Sequence, residues 1–155
     1  DAFRVAIAKV ISAQLSQVGI AVEVRSFERL TFFADLKKGL YQLASAQTSD
    51  ISDPDFYFTY FHSSRIPDAK NPDGLNRWKY RNARVDELTK RGRAELDRDA
   101  RKVLYSEVQK ILADELPVVP LWHEDNGTFT NLAVEGYTMT PNARLNGLVG
   151  TWKHK

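Results

Sequence analysis

The sequence predicts an α/β fold, and three observations predict it. Helix-period and strand-period apolar patterns alternate along the first part of the chain, the alternation that implies a parallel sheet. Cap and stop residues separate those segments. A continuous apolar run, Val118 to Trp122, follows two strongly periodic helices, as a buried strand would. The 155 residues suit one domain with a sizeable core, and 43% apolar against 27% charged residues reads as globular.

The first helix carries Phe3, Ile7, Val10, Ile11, Leu15 and Val18 at helical spacing, with Asp1 as a cap and Gly19 as the stop. Ile20, Val22 and Val24 alternate with Ala21, Glu23 and Arg25 as a short half-buried strand. Ser26 is the expected cap of a second helix, with Leu30, Phe33 and Leu36 inward, Lys37 and Lys38 at the negative end of its dipole, and Gly39 after it. Tyr41 to Ala46 is the next strand. A βαβ unit needs a strand before the first helix, so Asp1 reads as a cut inside a larger protein.

Asp53-Pro54 marks the start of an aromatic helix with Phe56, Tyr57, Phe58, Tyr60 and Phe61, since Asp is a preferred N-cap and Pro at the first helical position has no N–H to leave unpaired. Aromatics all round imply either a thick core or a second, ligand-facing surface. Ser63 to Arg77 is a long polar loop, functional or disordered. Arg84 to Leu96 reads as a helix with Val85, Leu88 and Ala94 inward. Asp97 caps another running to about Glu115, with Val103, Leu104, Val108, Ile111 and Leu112 inward, and Pro117 prevents its continuation. Asp125-Asn126-Gly127 signals a hairpin, with Thr128 to Leu132 returning. Beyond that the pattern weakens, and only Leu145 to Trp152 hints at a strand.

A net charge of +2, from 22 basic and 20 acidic residues, gives no electrostatic case for nucleic acid or an anionic membrane. No cysteine is present, so there is no disulfide framework, thiolate metal site or Cys nucleophile. No apolar run approaches the roughly 20 residues of a membrane span. His62, His123 and His154 form no HxH or HExxH pattern, and His123 reads as a structural histidine. Hydrolase, NTPase and dinucleotide motifs are missing. No cofactor or metal is expected.

Polar side chains at the C-terminal end of a strand, beside a helix start, are where open α/β sheets bind ligands. Tyr41 to His62 fits that description. Asp53 is explained as a cap and Asp55 as a first-turn acid, while Asp50 has neither role and suits a cationic group such as an ammonium. Asn76, Arg77, Trp78 and Tyr80 end the long loop, as a loop anchor, a cleft lip or a base-stacking cluster.

Five ordered stretches resemble the C-terminal lobe of the family 5 extracellular solute-binding proteins, the peptide- and nickel-binding receptors of ABC importers. They are IAKVISAQLSQVGIAVEV, FFADLKKGLYQLA, SDISDPDFYFTYFHSS, GLNRWKYRNARVDEL and RKVLYSEVQKILADELPVVPLWH. The last is similar to the family pattern R-x-x-L-Y-x-E-x-Q-x-I-L-x-x-x-x-P-x-x-P-L. The resemblance implies two α/β lobes that close on a ligand without covalent chemistry, in a periplasmic-binding-protein-like fold with a mixed sheet flanked by helices. It implies that residues 1–155 are most of one lobe, with the other upstream, and that residues 133–155 pack on that missing lobe. In the family, the Asp ahead of the D-P-D segment can hold the ammonium of a bound peptide, and Asp50 occupies that position. Trp often stands three residues earlier, where this chain has the amide of Gln47.

The expected function is a non-enzymatic receptor, periplasmic or, in a Gram-positive host, extracellular and membrane-anchored, that hands a peptide or other small solute to the permease of an ABC importer. Asp50 is the expected anionic contact, Gln47, Thr48 and Ser49 polar contacts from the same strand end, and Asn76, Arg77 and Tyr80 contacts from the loop. The alternatives are a ligand-sensing module of a transcriptional regulator and a hydrolase using Asp50 and Asp53.

Overall fold

A computed structural model describes residues 2–48, 51–122, 127–140 and 145–154. It is mixed, about half helical, with one small antiparallel sheet. The chain divides into two compact units, one of residues 1–47 and 54–117, the other of residues 48–53 and 118–155.

In the larger unit, α1 spans Ala2–Ser16 and α2 spans Arg29–Lys38. Gly19 and Gly39 both take left-handed φ, 82° and 76°, as the stop positions require. Behind Gly39, its N–H and that of Leu40 return to carbonyls of α2. The cap of α2 is Glu28 rather than Ser26: its carboxylate accepts the N–H groups of Leu30 and Thr31 at 2.8 and 3.2 Å. Ser26 sits two residues too early to reach those donors. Of the expected inward face of α2, Leu36 is buried and Leu30 is exposed. No residue of α1 is buried.

The predicted strands Ile20–Val24 and Tyr41–Ala46 are not strands, because neither has a ladder partner among the described residues. Alternation is a local signal, whereas a parallel ladder needs a second segment from elsewhere. Here the Ser12 hydroxyl donates to the Val22 carbonyl at 2.9 Å in place of a ladder bond.

The core of this unit lies where the sequence signal is most periodic. Helix α3 (Phe56–Phe61) starts two residues later than Asp53-Pro54 predicts, with Asp55 at its cap position and no side-chain cap bond. Helix α4 runs Ala83–Ala94, and α5 runs Arg98–Glu115. The cap of α4 is Asn82, whose Oδ1 accepts from Arg84 and Val85. Asp97 caps α5 as predicted, accepting from Ala100 N–H at 2.7 Å. Val85, Leu88 and Val108 are fully shielded, and Phe61, Leu104 and Leu112 complete the cluster. Full burial of each such Val or Leu is worth about 1.5–3 kcal/mol. Phe56, Tyr57, Tyr60, Trp78 and Tyr80 pack around it, so most aromatics of α3 thicken the core.

Three inward assignments change. Ala94 and Val103 are exposed, and Tyr105 takes the buried place on α5. The exchange follows from Gly92: a Cβ there would lie 2.8 Å from two carbons of the Tyr105 ring, so only glycine lets the ring lie against α4. Arg84 bridges the two helices by gripping Glu107 with two nitrogens at 2.8 and 3.0 Å, and it also pairs with Glu87. Both partners are half exposed, so this adds little beyond the seam.

In the smaller unit, β1 (Val134–Glu135) pairs antiparallel with β2 (Trp152–Lys153), in the register Val134↔Lys153 and Glu135↔Trp152. Val118–Trp122 is neither a strand nor buried, because among the described residues no layer covers it. Thr128–Leu132 forms no returning strand, and Phe129 and Leu132 are fully exposed. Leu145–Gly150 is a 3₁₀ turn rather than a strand. Of the predicted hairpin signal, Asp125 and Asn126 lie outside the described residues.

Gly92→Ala should destabilise the protein by about 1–3 kcal/mol through overpacking against Tyr105. Urea denaturation of the two forms measures the difference. An unchanged midpoint would show that the ring does not depend on this close approach.

Candidate functional site

The strand-end segment and the long loop are held by different means. Gln47 is exposed at the end of an unladdered segment, and its Oε1 accepts from Arg4 Nη2 at 2.6 Å. Thr48 is exposed. Ser49 and Asp50 lie outside the described residues, as does His123.

The loop from Ser63 to Arg77 is tied down residue by residue. Asp68 Oδ1 accepts from the N–H groups of Lys70 and Asn71, and Asn71 Nδ2 donates to the Ser64 carbonyl. Asn76 is fully buried at the centre. Its Nδ2 donates to the carbonyls of Phe61, His62 and Tyr80 at 3.3, 3.2 and 2.8 Å, and its Oδ1 accepts Tyr80 N–H at 3.0 Å. One amide thus satisfies the end of α3 and the approach to α4 together, which buried polar groups require. Asn76 and Tyr80 are therefore brought together, with their hydrogen bonds turned inward.

Tyr80 donates its hydroxyl to Glu115 at the end of α5 at 2.6 Å. Burial, and then the Glu115 carboxylate, push its phenol far above the usual tyrosine range, so it stays protonated. The Arg77 guanidinium lies 5.0 Å from the centre of the Phe33 ring on α2, and the Arg77 carbonyl accepts from Tyr41 Oη at 3.0 Å. Lys79 Nζ reaches the Lys38 carbonyl at 3.2 Å, and Lys37 pairs with Asp73 at 3.0 Å. The loop thus clasps the C-terminal end of α2.

A second feature, which residue spacing did not mark, is an open cavity of about 560 Å³ lined by Phe58, His62, Lys90, Arg93 and Ala94. Lys90 and Arg93 belong to the charge run that reads in sequence as a solvated helix face. Arg93 lies 4.1 Å over Phe58 and pairs with Asp55 at 2.9 Å. His62 lies against the same ring at 4.4 Å. Its Nδ1 accepts from Ser64 N–H at 3.0 Å, which fixes the neutral tautomer with the proton on Nε2. Asp86 accepts the Ser63 backbone N–H at 2.8 Å and the Ser63 hydroxyl, and lies 3.9 Å from His62. Burial lowers the His62 pKa; Asp86 opposes the shift, and Lys90, Arg93 and Arg65 add to it. Among the described residues no group of three or more His, Asp or Glu could hold a metal ion, and no helix is long and apolar enough to cross a membrane.

Two measurements follow from this geometry. Asn76→Ala takes the amide away from the Phe61 and Tyr80 carbonyls and the Tyr80 N–H, while the His62 carbonyl keeps the Arg65 N–H; even one or two groups left unsatisfied cost about 1–3 kcal/mol each. Urea denaturation should show a loss of at least about 2 kcal/mol, and a smaller loss would mean the loop does not hang on this amide. His62 takes up its proton at lower pH when folded than when unfolded. Its contribution is therefore fully present above about pH 6.5 and is lost as pH falls through the depressed folded value. Melting temperature should fall on acidification over that window, and His62→Asn should flatten the fall. An equal fall in both forms would remove His62 as its source.

No protein-family model matches the chain. It is 30% identical over 136 residues to the probable D,D-dipeptide-binding periplasmic protein DdpA of Escherichia coli, covering 87% of this chain and 26% of that protein. It is 28% identical to di/tripeptide-binding protein 2 of Pseudomonas aeruginosa, covering 87% and 25%. It is 26% identical over 150 residues to the oligopeptide-binding protein AppA of Bacillus subtilis, covering 96% and 27%. The chain spans about a quarter of the length of the curated relatives it matches. At the level of family the chain is similar to the family 5 extracellular solute-binding proteins, whose peptide-binding members it matches over about 87% of its length.

Proposed function

We propose that the chain is the C-terminal lobe of a periplasmic or extracellular receptor that captures a peptide without chemical change and delivers it to an ABC import permease. The observation that carries this reading is the match of 87% of the chain to proteins described as dipeptide- and di/tripeptide-binding. The exposed apolar residues of the first helix and beyond, Phe3, Val10, Val18 and Ile20, support a partner lobe, as do the unladdered segments on either side of α2.

Asp50 is the proposed contact for the peptide ammonium, with Gln47, Thr48 and Ser49 as polar neighbours along four consecutive residues. Asn76, Arg77 and Tyr80 brace the loop against α2, α3 and α5, so their proposed part in binding is to hold the scaffold. Closure of two lobes over the peptide excludes water and strengthens each polar contact.

Calorimetric titration of the full-length protein with di- to octapeptides, sugars and nickel complexes tests the proposal. A peptide should bind tightly. Asp50→Ala should weaken that binding by about 1.5–3 kcal/mol, the worth of a hydrogen bond to a charged group. Acetylating the peptide amine should cause a similar loss in the unmodified protein and little further loss in the variant. Binding of a sugar or nickel complex with no peptide binding would overturn the peptide assignment.

A further inference from the structure

We infer that the cavity walled by Phe58, His62, Lys90, Arg93 and Ala94 is a binding site for a small monocarboxylate carried on an aromatic or aliphatic body. All five residues belong to α3, its C-cap and α4, so the inference stands independently of the receptor reading above.

Phe58 is the aromatic of α3 that the core does not use. Phe56, Tyr57, Tyr60 and Phe61 belong to the apolar cluster or pack against it, and Phe58 does neither. It is half-buried in the cavity wall, with the Arg93 guanidinium 4.1 Å from its ring centre and the His62 ring at 4.4 Å. Ala94 adds a second apolar group. A helix with aromatics all round buries one face and offers another. Here the second face opens on about 560 Å³, room for a small molecule rather than a single water.

Three donors line the same space. Lys90 is exposed and pairs with no carboxylate among the described residues: Asp86, one turn before it, is taken by Ser63, and Glu87 by Arg84 and Arg91. Arg93 has its Nε on Asp55 at 2.9 Å, which leaves its two Nη groups as the pair of donors that can meet the two oxygens of a carboxylate. Nδ1 of His62 accepts from Ser64, so the ring proton sits on Nε2, where no acceptor meets it among the described residues. Lys90 and Arg93 stand three residues apart on one helix face, where like charges repel and an anion between them removes the repulsion.

The balance of charge sets the class of anion. Lys90, Arg93 and Arg65 act on His62 together with Asp86, and Asp55 holds Arg93. Three cations against two carboxylates leave one positive charge in excess. A single carboxylate neutralises it, and a phosphate dianion overshoots it. Phe58 and Ala94 then take the body of the ligand, and that burial adds to an ion pair which is weak by itself in an open site.

Fluorine NMR of the full-length protein tests this, with para-fluorobenzoate as the probe, para-fluorobenzyl alcohol as its neutral analogue, and inorganic phosphate. The probe should bind in the millimolar range, as a ligand of this size does in an open site. The alcohol should bind about tenfold more weakly. Lys90→Met should weaken the probe about fivefold, and Lys90→Glu should abolish its binding, with the melting temperature unchanged in both. Asp55→Asn removes the carboxylate that competes for Arg93 and should tighten binding about threefold. Saturating trialanine should not displace the probe. No binding of the probe, equal binding of acid and alcohol, unchanged affinity in Lys90→Glu, or phosphate binding tighter than the probe would overturn the inference. Displacement by trialanine would also overturn it, by moving the probe to the peptide site. A failure of trialanine to bind would count against the receptor reading alone.

Discussion

Val85 and Leu88 on α4 meet Val108 on α5 with no exposure to water, and the larger unit is built outward from that seam. Gly92 lets the Tyr105 ring complete it, and Phe61 closes its open end. Once α3 is anchored through Phe61, the long loop has a fixed origin, and Asn76 can join the carbonyls of Phe61 and His62 to the backbone of Tyr80. The loop in turn reaches α2 through Arg77, Lys79 and Asp73. The seam is apolar and the clasp is polar, and they act at different ranges. Burial supplies the free energy, while the buried amide makes the loop adopt one arrangement because any other would leave polar groups unsatisfied.

What the sequence revealed follows from the range of each signal. Helices α4 and α5 were legible because their periodicity, the Asp97 cap and the Pro117 stop are all local. The exchange of Val103 for Tyr105 was not legible, since it depends on a glycine on another helix. Glu28 displaced Ser26 as a cap because a longer carboxylate can reach two donors from a position where simple rules favour a short side chain. The predicted strands failed for a different reason. Period-2 alternation marks segments suited to a sheet, but the ladder is a property of two segments, and the second is absent from the described residues.

The candidate site divides along the same line. The expected ligand location rested on a predicted strand end followed by Asp-Pro, narrowed by family likeness to Asp50; that strand did not form, and Asp50 lies outside the described residues. The inward role of Asn76 was invisible, because an asparagine in a long loop looks the same in sequence whether its amide faces solvent or three carbonyls. Arg4 was equally invisible: a lone basic residue on the first turn of a helix carries no spacing that points to a position 43 residues on. Such contacts are set by tertiary geometry, and they decide which side chains remain available to a ligand.

In the proposed receptor a peptide is captured at residues 47–50, while the seam of α4 and α5 is packed with or without it. Amide hydrogen exchange of the full-length protein, with and without saturating peptide, tests this most directly. Protection should rise across residues 41–50 while α4 and α5, slow already, stay unchanged. Protection gained at α4 and α5 with none at residues 41–50 would contradict the account.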